Sequence, residues 1–247
     1  MADFKVGSTT IADMKVGSTQ IQAVYVGSSL VWSAGTDVDY RTSATAAGSS
    51  YPSTSNINVY TTDYLVGWNN GKQTQGVSGA IQNGTATISS WSNIASELGD
   101  SGNDILLDVA AATVSSAGTL GLESYVQYAG LGFIAVSDAD SYSASHNSSA
   151  YGASIPQVSV SNCTSNDLMI IIHSIQDLQR NGYYYPTSSP SGYTQLVQQA
   201  WLSGQGGAAQ YWTTTVWYKE GGSGTESFTG SSSGDYNAVS IMRIYAA

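Results

Sequence analysis

The residues Leu168-Met169-Ile170-Ile171-Ile172 form the longest uninterrupted apolar run of the chain, and the polar pair His173-Ser174 follows them. This run has the length of a β-strand, whereas a membrane-spanning helix needs about 20 apolar residues. Elsewhere, short apolar segments alternate with turns rich in glycine and serine, and helical periodicity is almost absent. The pattern predicts an all-β fold without membrane insertion, with one short helical turn near residues 93–98.

The sequence around this run recurs at long range. Residues 63–66 correspond to residues 167–170, 122–125 to 225–228, and 132–136 to 238–242, at offsets of 104, 103 and 106 residues. A repeat of this length, made of short strands, predicts two tandem jelly-roll-like β-sandwiches. We assign them to residues 51–140 and 155–247, joined by the polar stretch 138–154.

A shorter repeat occupies residues 1–35. Lys5-Val6-Gly7-Ser8 recurs as Lys15-Val16-Gly17-Ser18 and as Tyr25-Val26-Gly27-Ser28. Glycine at the first position of a two-residue connection suits the turns of β-hairpins, so the repeat predicts an N-terminal β-hairpin ribbon. Its expected apolar face pairs Phe4 with Ile11, Met14 with Ile21 and Val24 with Val31, and also includes Trp32.

The ribbon is expected to need a partner surface. Isolated hairpins are marginally stable in water, so the ribbon must pack on the rest of the chain or on another protein. Residues 36–50 have the serine, threonine, alanine and glycine content of a linker. We therefore favour a ribbon that docks to a larger assembly or oligomerises.

The composition excludes several classes of protein. Only 10% of the 247 residues are charged, and the net charge is −10, so the basic surface of a nucleic-acid-binding protein is missing. The first residues have neither the positive nor the apolar region of a secretory signal, so we expect the protein to be made and assembled in a cytoplasm. The single cysteine, Cys163, cannot form an internal disulfide and is expected to be a small core or loop residue.

Two parts of the chain resemble virion proteins of tailed bacteriophages. The hairpin repeat, clearest in Ile21-Gln22-Ala23-Val24-Tyr25-Val26-Gly27-Ser28-Ser29-Leu30-Val31-Trp32, resembles a short β-repeat at the start of tail fibres and related appendages. The C-terminal half resembles a jelly-roll module of phage tail and adhesin-like proteins in four segments: 166–171, 190–196, 216–219 and 242–245. No equivalent of Pro190-Ser191-Gly192-Tyr193-Thr194 lies between Trp68 and Ile105. The resemblance implies a virion structural protein, often trimeric, and implies no catalytic residues.

Patterns for catalysis and metal binding are weak. His173 lies within an apolar strand and is expected to be buried and structural, while His146 lies in a serine-rich stretch and is expected to be solvated. A glycan-hydrolysing tail spike would need two carboxylates flanking the scissile bond, for which Asp104, Asp108 and Glu123 are the candidates. The aspartate-rich turns 100–104 and 138–140 carry calcium-type oxygen ligands but match no complete calcium loop. We expect no enzyme activity, no cofactor and no metal.

Aromatic residues supply the strongest candidate site. Two predicted loops carry them, and the residues are Tyr183, Tyr184, Tyr185, Trp201, Tyr211 and Trp212. Tyrosine and tryptophan suit both the apolar faces of sugars and the centres of protein interfaces. These loops are therefore interpreted either as a patch that binds a host-surface glycan or as subunit and domain contacts.

These observations together favour one function and leave two alternatives. The expected protein is a homotrimeric tail fibre or tail appendage of a phage virion, bound to other virion proteins, with the aromatic loops recognising the host. A capsid decoration protein or head fibre would use the same loops against neighbouring subunits. A small glycan-hydrolysing tail spike is the enzymatic alternative.

Overall fold

A computed structural model describes most of the chain. The described residues are 5–6, 9–10, 15–16, 19–20, 23–26, 29–33, 37–71, 76–98, 105–149, 156–178, 182–186, 189–203, 210–230 and 236–246. The chain divides into two compact units, Met1–Asp37 and Val38–Ala247.

The first unit contains three two-stranded antiparallel pairs, as the hairpin repeat predicts. The strands are Lys5–Val6 (β1), Thr9–Thr10 (β2), Lys15–Val16 (β3), Thr19–Gln20 (β4), Ala23–Val26 (β5) and Ser29–Ser33 (β6). Val6 pairs with Thr9, and Val16 with Thr19, which is the register of a two-residue connection. The third pair departs from the prediction, because a register shift places Val24 opposite Trp32 rather than Val31. Phe4, Ile11, Met14 and Ile21 lie outside the described residues.

Within the described residues, the second unit contains sixteen strands. They are Asp39–Gly48 (β7), Ile57–Val59 (β8), Asp63–Gly71 (β9), Ile81–Gly84 (β10), Thr87–Ile88 (β11), Ser92–Leu98 (β12), Ile105–Ser116 (β13), Gly118–Glu123 (β14), Ala129–Ser137 (β15), Ser141–Ser149 (β16), Gln157–Cys163 (β17), Leu168–Asp177 (β18), Thr194–Ser203 (β19), Gln210–Glu220 (β20), Gly224–Thr229 (β21) and Tyr236–Tyr245 (β22).

The all-β class is confirmed. Within the described ranges the helical content is a single 3-10 turn, Val77–Gly79, and no helix there is long and apolar enough to cross a membrane. The helical turn predicted near residues 93–98 is wrong, since β12 occupies this stretch and pairs antiparallel with β13. Asn93, Ser96 and Glu97 are polar because β12 is an edge strand, and this polarity hid the strand in the sequence.

Two large antiparallel sheets form the centre of this unit, and each is covered by a small sheet. The first large sheet has the order β12-β13-β9-β15-β7, with β11 also paired to β13, and the second has the order β19-β20-β18-β22-β16. The small sheets are β10-β14-β8 and β17-β21. We call residues 39–137 the first sandwich and residues 141–245 the second sandwich.

The strand order confirms the internal repeat. Seven strands correspond between the two sandwiches, and the third of them lies at the centre of each large sheet. This strand is β9 in the first sandwich, where it pairs with β13 and β15, and β18 in the second, where it pairs with β20 and β22. The strands that cover them also correspond, because β8 pairs with β14 and β17 pairs with β21. The first sandwich adds β10 and β11 to this common plan.

Three apolar cores hold the sheets in four layers. The shared core lies between the two large sheets and includes Trp68 of the first sandwich and Trp212 of the second. The other two cores lie between each large sheet and its small sheet, around Phe133 in the first sandwich and around Trp217 in the second. Cys163 is buried in the core around Trp217, as expected for a small core residue.

Two stretches predicted to be connections are edge strands instead. The linker predicted over 36–50 contains β7, which pairs with β15 along its length, and the connection predicted over 138–154 contains β16, which pairs with β22. The sandwiches therefore start at Asp39 and Ser141, earlier than predicted. Small and polar residues dominate both strands because edge strands bury little apolar surface.

The same aspartate turn precedes the central strand of each sandwich. Asp63 accepts a hydrogen bond from the Tyr60 N–H at 2.7 Å, and Asp167 accepts one from the Thr164 N–H at 2.6 Å. Both carboxylates are buried, and each is paired with an arginine guanidinium: Asp63 with Arg41 and Asp167 with Arg243. The arginines come from different strands, β7 in the first sandwich and β22 in the second.

The strand directions give this unit two distinct ends. The two aspartate turns, the short connection 138–140 and Val38 lie at one end, which we call the turn end; the Val38 N–H donates to the Asn166 carbonyl at 3.0 Å. The connections after β7, β12, β14, β16, β19 and β21 lie at the opposite end, which we call the loop end.

Candidate functional site

The candidate site is a group of tyrosines at the loop end of the second sandwich. Residues 182–186 follow β18 and lie against the start of β20, where the Thr213 hydroxyl donates a 2.6 Å hydrogen bond to the Tyr184 carbonyl. Thr213 itself is buried. This bond fixes the tyrosine segment to the sheet.

Tyr183 is the most exposed member of the group. Its side chain contacts Tyr211 edge to face, with ring centroids 4.9 Å apart and an angle of 90° between the ring planes. Tyr183 is 42% exposed, while Tyr184, Tyr185 and Tyr211 are half-buried. Aromatic pairs in this geometry are stabilising, so the exposed ring of Tyr183 has a defined support.

Leu202 extends this surface. It lies opposite Tyr211 in the register of β19 and β20, so the two side chains lie on the same face of the sheet. Leu202 is 38% exposed, which is unusual for a leucine inside a strand. We define the tyrosine patch as Tyr183, Tyr184, Tyr185, Tyr211 and Leu202. Leu202 was not predicted, because alternation along a strand does not tell which of the two faces is exposed.

Trp201 and Trp212 do not belong to this surface. They are cross-strand neighbours on the opposite face of the sheet, buried in the shared core, where their rings stack with centroids 6.0 Å apart. Both side chains are therefore packed between the two sandwiches and are not exposed to a receptor. Both positions alternate with patch residues along the strands, and the sequence alone does not tell which face is exposed.

Buried hydrogen bonds join the sheet that carries the patch to the first sandwich. The Asn70 Nδ2 atom donates to Ser174 Oγ at 2.6 Å and to Thr214 Oγ1, which joins β9 of the first sandwich to β18 and β20 of the second. Gln199 Nε2 donates to the Ala46 carbonyl at 2.9 Å across the same interface. The sheet that carries the tyrosine patch is thus fastened to the first sandwich near the loop end.

The pKa values of two groups near this site reflect burial. Burial raises the pKa of the Tyr185 hydroxyl, and the neighbouring Tyr183 raises it further, so Tyr185 stays uncharged at neutral pH. Deeper in the sheet, burial lowers the pKa of His173 to about 4, even though its Nε2 atom lies 3.0 Å from Asn237 Oδ1. His173 is therefore a buried, neutral residue, which confirms the structural role expected for it.

Of the acids considered for glycan hydrolysis, Asp108 and Glu123 each accept hydrogen bonds from neighbouring elements. Asp108 is buried, and its carboxylate accepts hydrogen bonds from the Val77 N–H at 2.7 Å and from Asn93 Nδ2 at 3.1 Å. Burial raises the pKa of Asp108. Glu123 accepts a bond from Asn83 Nδ2 on the neighbouring strand, and Asp104 lies outside the described residues. The bonds of Asp108 attach the 3-10 turn to β13.

The other polar candidates have ordinary surroundings. His146 is exposed on β16, not in a connection, and its Nε2 atom lies 3.6 Å from Glu97 Oε1 of the first sandwich. Across the described part of the chain, no group of three or more histidine, cysteine or acidic side chains is arranged to hold a metal ion. Of the two aspartate-rich turns, residues 138–140 connect the sandwiches, and residues 100–104 lie outside the described residues.

Exposed aromatic residues also occur at the loop end of the first sandwich. Tyr125 is 61% exposed and Tyr51 is 50% exposed, and they flank the hydrogen bond from the Ser124 N–H to the Pro52 carbonyl. Tyr51 has a positive φ of 43°, a backbone conformation that is uncommon for a bulky residue. Neither residue was predicted from the sequence as part of a site, since neither lies in the two aromatic-rich stretches around Tyr183 and Trp201.

Comparisons of the chain with protein-family models, with curated proteins and with solved structures found no match.

Proposed function

We propose that this chain is a non-enzymatic structural protein of a tailed-bacteriophage virion, of the tail-fibre or tail-appendage type, whose tyrosine patch binds a glycan on the host surface. The observation that supports the proposal is that the tyrosine patch and Val38 lie at opposite ends of the second unit. The exposed aromatic residues of the patch lie at the loop end, and Val38, where the hairpin unit is joined, lies at the turn end. An attachment protein needs its binding surface away from its anchored end.

The hairpin unit is the proposed anchor. It forms a compact unit of its own, and it contains three short antiparallel pairs in a repeat that resembles the start of phage appendage proteins. Short hairpins gain stability when they pack on a partner. In this proposal the unit docks to another virion protein or forms a homotrimer, and the two jelly-roll-like sandwiches follow it in the chain.

The chemistry of the patch suits a sugar. The ring of Tyr183 is held by Tyr211 and is open to solvent, so it can stack on the C–H face of a pyranose. The Tyr185 hydroxyl remains protonated and can both donate and accept hydrogen bonds with sugar hydroxyls. Leu202 adds apolar surface beside the ring.

A capsid decoration protein or head fibre is the second candidate. The tyrosines favour it, because tyrosine is enriched at protein interfaces, and the exposed Leu202 beside them adds apolar surface. In that case the patch would contact a neighbouring subunit, and the loop end would be covered in the assembled particle.

Competition for adsorption tests the proposal. Purified full-length protein should block binding of the phage to its host cells, and the double variant Tyr183→Ala/Tyr211→Ala should lose at least tenfold in blocking potency. Tyr60→Ala is the matched control, since Tyr60 is 50% exposed but lies in the aspartate turn at the opposite end. Equal blocking by both variants would remove the tyrosine patch as the receptor-binding surface.

Removal of residues 1–37 tests the anchor separately. The shortened protein should still fold, as judged by its circular dichroism, and should no longer be incorporated into particles. Incorporation at the normal level would show that the hairpin unit is not the attachment site.

A further inference from the structure

A polar cleft of about 330 Å³ opens on the second sandwich at the turn end. It lies between β16, the edge strand of the large sheet, and β17, the edge strand of the small sheet, with the end of β22 as its third wall. Toward the loop end the two edge strands are tied together by Asn147 Nδ2, which donates to the Gln157 carbonyl, and by Ser145 Oγ, which accepts the Ser159 N–H. Beyond these bonds the strands separate.

A β-bulge in β17 shapes the cleft. Val160 pairs with Glu226 and Cys163 pairs with Gly224, so Ser161 and Asn162 together oppose one residue of β21. Asn162 has a positive φ of 59°, and both residues line the cleft. Bulges redirect side chains and often occur beside binding sites.

The first sandwich provides an internal comparison, because the same corner is closed there. The pairing of β7 with β15 contains a shift that leaves Arg41 as an extra residue between Tyr40 and Thr42. The guanidinium of Arg41 spans the gap between the two edge strands, donating to the Asn58 carbonyl of β8 at 3.2 Å and to Asp63. In the second sandwich the pairing of β16 with β22 has no such shift: Tyr142 pairs with Ile244 and Ser143 with Arg243, so β16 has no extra residue at this corner.

The position of the second arginine completes the difference. Arg243 reaches Asp167 from β22, with Nε 2.6 Å from the carboxylate, and its guanidinium lies 4.4 Å from the centre of the Tyr245 ring. Arg243 therefore pairs with the Asp167 carboxylate without crossing the gap between β16 and β17 at the turn end. The corner that Arg41 fills in the first sandwich is therefore open in the second.

The lining of this cleft points to a neutral, hydroxyl-rich ligand. Arg243 is balanced by Asp167, so the cleft carries no excess charge, and the chain as a whole has a net charge of −10, which disfavours anions. Within the described residues, Ser143 Oγ is buried and has no hydrogen-bond partner, and a buried polar atom of this kind is normally satisfied by a ligand or a water molecule. Ser161 and Asn162 add further donors and acceptors, and Tyr245 adds an aromatic ring.

We propose that this cleft binds a single neutral saccharide residue, with Ser143, Ser161 and Asn162 bonded to its hydroxyls beside the Tyr245 ring. The volume is at the lower end of the range for small-molecule sites, about 300 to 1,000 Å³, which suits one sugar ring rather than an oligosaccharide. The cleft is at the opposite end of the body from the tyrosine patch, so this site is independent of the proposed receptor-binding surface.

Saturation-transfer NMR on the full-length protein tests this site. The probes are the methyl glycosides of D-glucose, D-galactose and N-acetyl-D-glucosamine, with inorganic phosphate as the anionic competitor. At least one glycoside should bind with a Kd of roughly 1 mM, the range expected for one sugar in an open cleft. Phosphate should not displace it.

Three variants locate the bound sugar. Ser161→Trp should fill the cleft and weaken binding at least tenfold, and Ser143→Ala should weaken it about fivefold by removing one hydrogen bond. Thr229→Trp is the matched control, because Thr229 is exposed on β21, pairs with Gln157 toward the loop end and lies outside the cleft, and it should bind like the parent protein.

Other results would overturn the proposal. Absence of binding by all three glycosides, equal binding by Ser161→Trp and the parent, or displacement of the sugar by phosphate would each contradict a saccharide site in the cleft. Loss of binding in Tyr183→Ala with retention in Ser161→Trp would assign the sugar to the tyrosine patch instead.

Discussion

The two sandwiches share one strand order but differ in the strand that supplies the arginine paired with a buried aspartate. Each has a buried aspartate in the turn before its central strand, and each needs an arginine to balance it. The first sandwich supplies Arg41 from a bulge in its edge strand, whereas the second supplies Arg243 from an inner strand. The strand that carries the arginine decides whether the corner between the large and the small sheet is filled. The first sandwich has no gap there because Arg41 fills it, and the second sandwich has a cleft.

The connection after the central strand differs as well. In the first sandwich it contains β10, which pairs with β14 and extends the small sheet. In the second sandwich it carries Tyr183, Tyr184 and Tyr185 and lies against β20. Variation is therefore concentrated in connections and edge strands, while the large sheets that share a core keep the same order.

Truncation of the shared core should give the largest effect. Trp212→Ala removes a fully buried side chain that packs on Trp201 between the two sandwiches, and it should lower the free energy of unfolding by about 3 to 5 kcal/mol. Urea unfolding, followed by far-UV circular dichroism and by tryptophan fluorescence, should show one transition with both probes because both sandwiches lose packing together. Two separated transitions, with the earlier one alone shifted, would mean that the sandwiches fold independently.

The pH dependence of stability should distinguish the second sandwich from the first. His173 corresponds to Asn69 of the first sandwich, because the two residues are separated by the repeat offset of 104 residues. The pKa of His173 is lowered from 6.5 to about 4, so between these values the unfolded chain binds a proton that the folded protein does not. Stability should therefore fall as the pH falls from 6.5 to 4, by about 3 kcal/mol in total.

His173→Asn is the variant that measures this contribution, since it introduces the residue of the first sandwich. Its free energy of unfolding, measured in urea at several pH values, should decrease less steeply than that of the parent between pH 6.5 and 4. His146→Asn, at an exposed histidine, should retain the parent slope. Parallel slopes for the parent and His173→Asn would contradict a buried neutral histidine.

The two aspartate turns should respond equally to the same substitution. Asp63→Asn and Asp167→Asn each leave an arginine without its carboxylate, and each should cost about 2 kcal/mol, less than for a fully buried pair because both arginines are partly exposed. Thermal unfolding of the two variants measures this directly. A cost at one turn only would show that the repeated geometry has no common energetic role.

The smallest effect on stability is expected at the exposed tyrosines. Tyr183→Ala of the second sandwich and Tyr125→Ala of the first should each change the free energy of unfolding by no more than about 0.5 kcal/mol. Only Tyr183→Ala should reduce adsorption blocking, because Tyr125 lies on the other sandwich. A loss of blocking in both variants would extend the binding surface across the loop end.

Much of the fold could be predicted from periodicity and internal repetition. The run Leu168–Ile172 and its counterpart near Tyr64 located the central strands, because these strands are buried on both faces and read as continuous apolar segments. The edge strands β7, β12 and β16 were missed for the opposite reason. Their residues are small or polar, and nothing in their sequence separates a strand from a linker or a helical turn.

The candidate site could be predicted only in part. Tyr183, Tyr184, Tyr185 and Tyr211 do come together, but Trp201 and Trp212 point into the shared core because adjacent strand residues alternate between faces. The cleft could not be predicted, since it depends on a bulge at Ser161 and Asn162 and on the absence of an arginine from β16. Both features depend on which residues pair across neighbouring strands, and the sequence pattern does not predict this pairing.

Cryo-electron microscopy of the intact particle is the decisive experiment, because it locates the protein and both ends of the two-sandwich unit at once. For a tail protein, we expect density for the two-sandwich unit at the tail, with Val38 toward the particle and the tyrosine patch facing outward. Density spread over the capsid lattice, with Tyr183 and Leu202 buried against a neighbouring subunit, would contradict it.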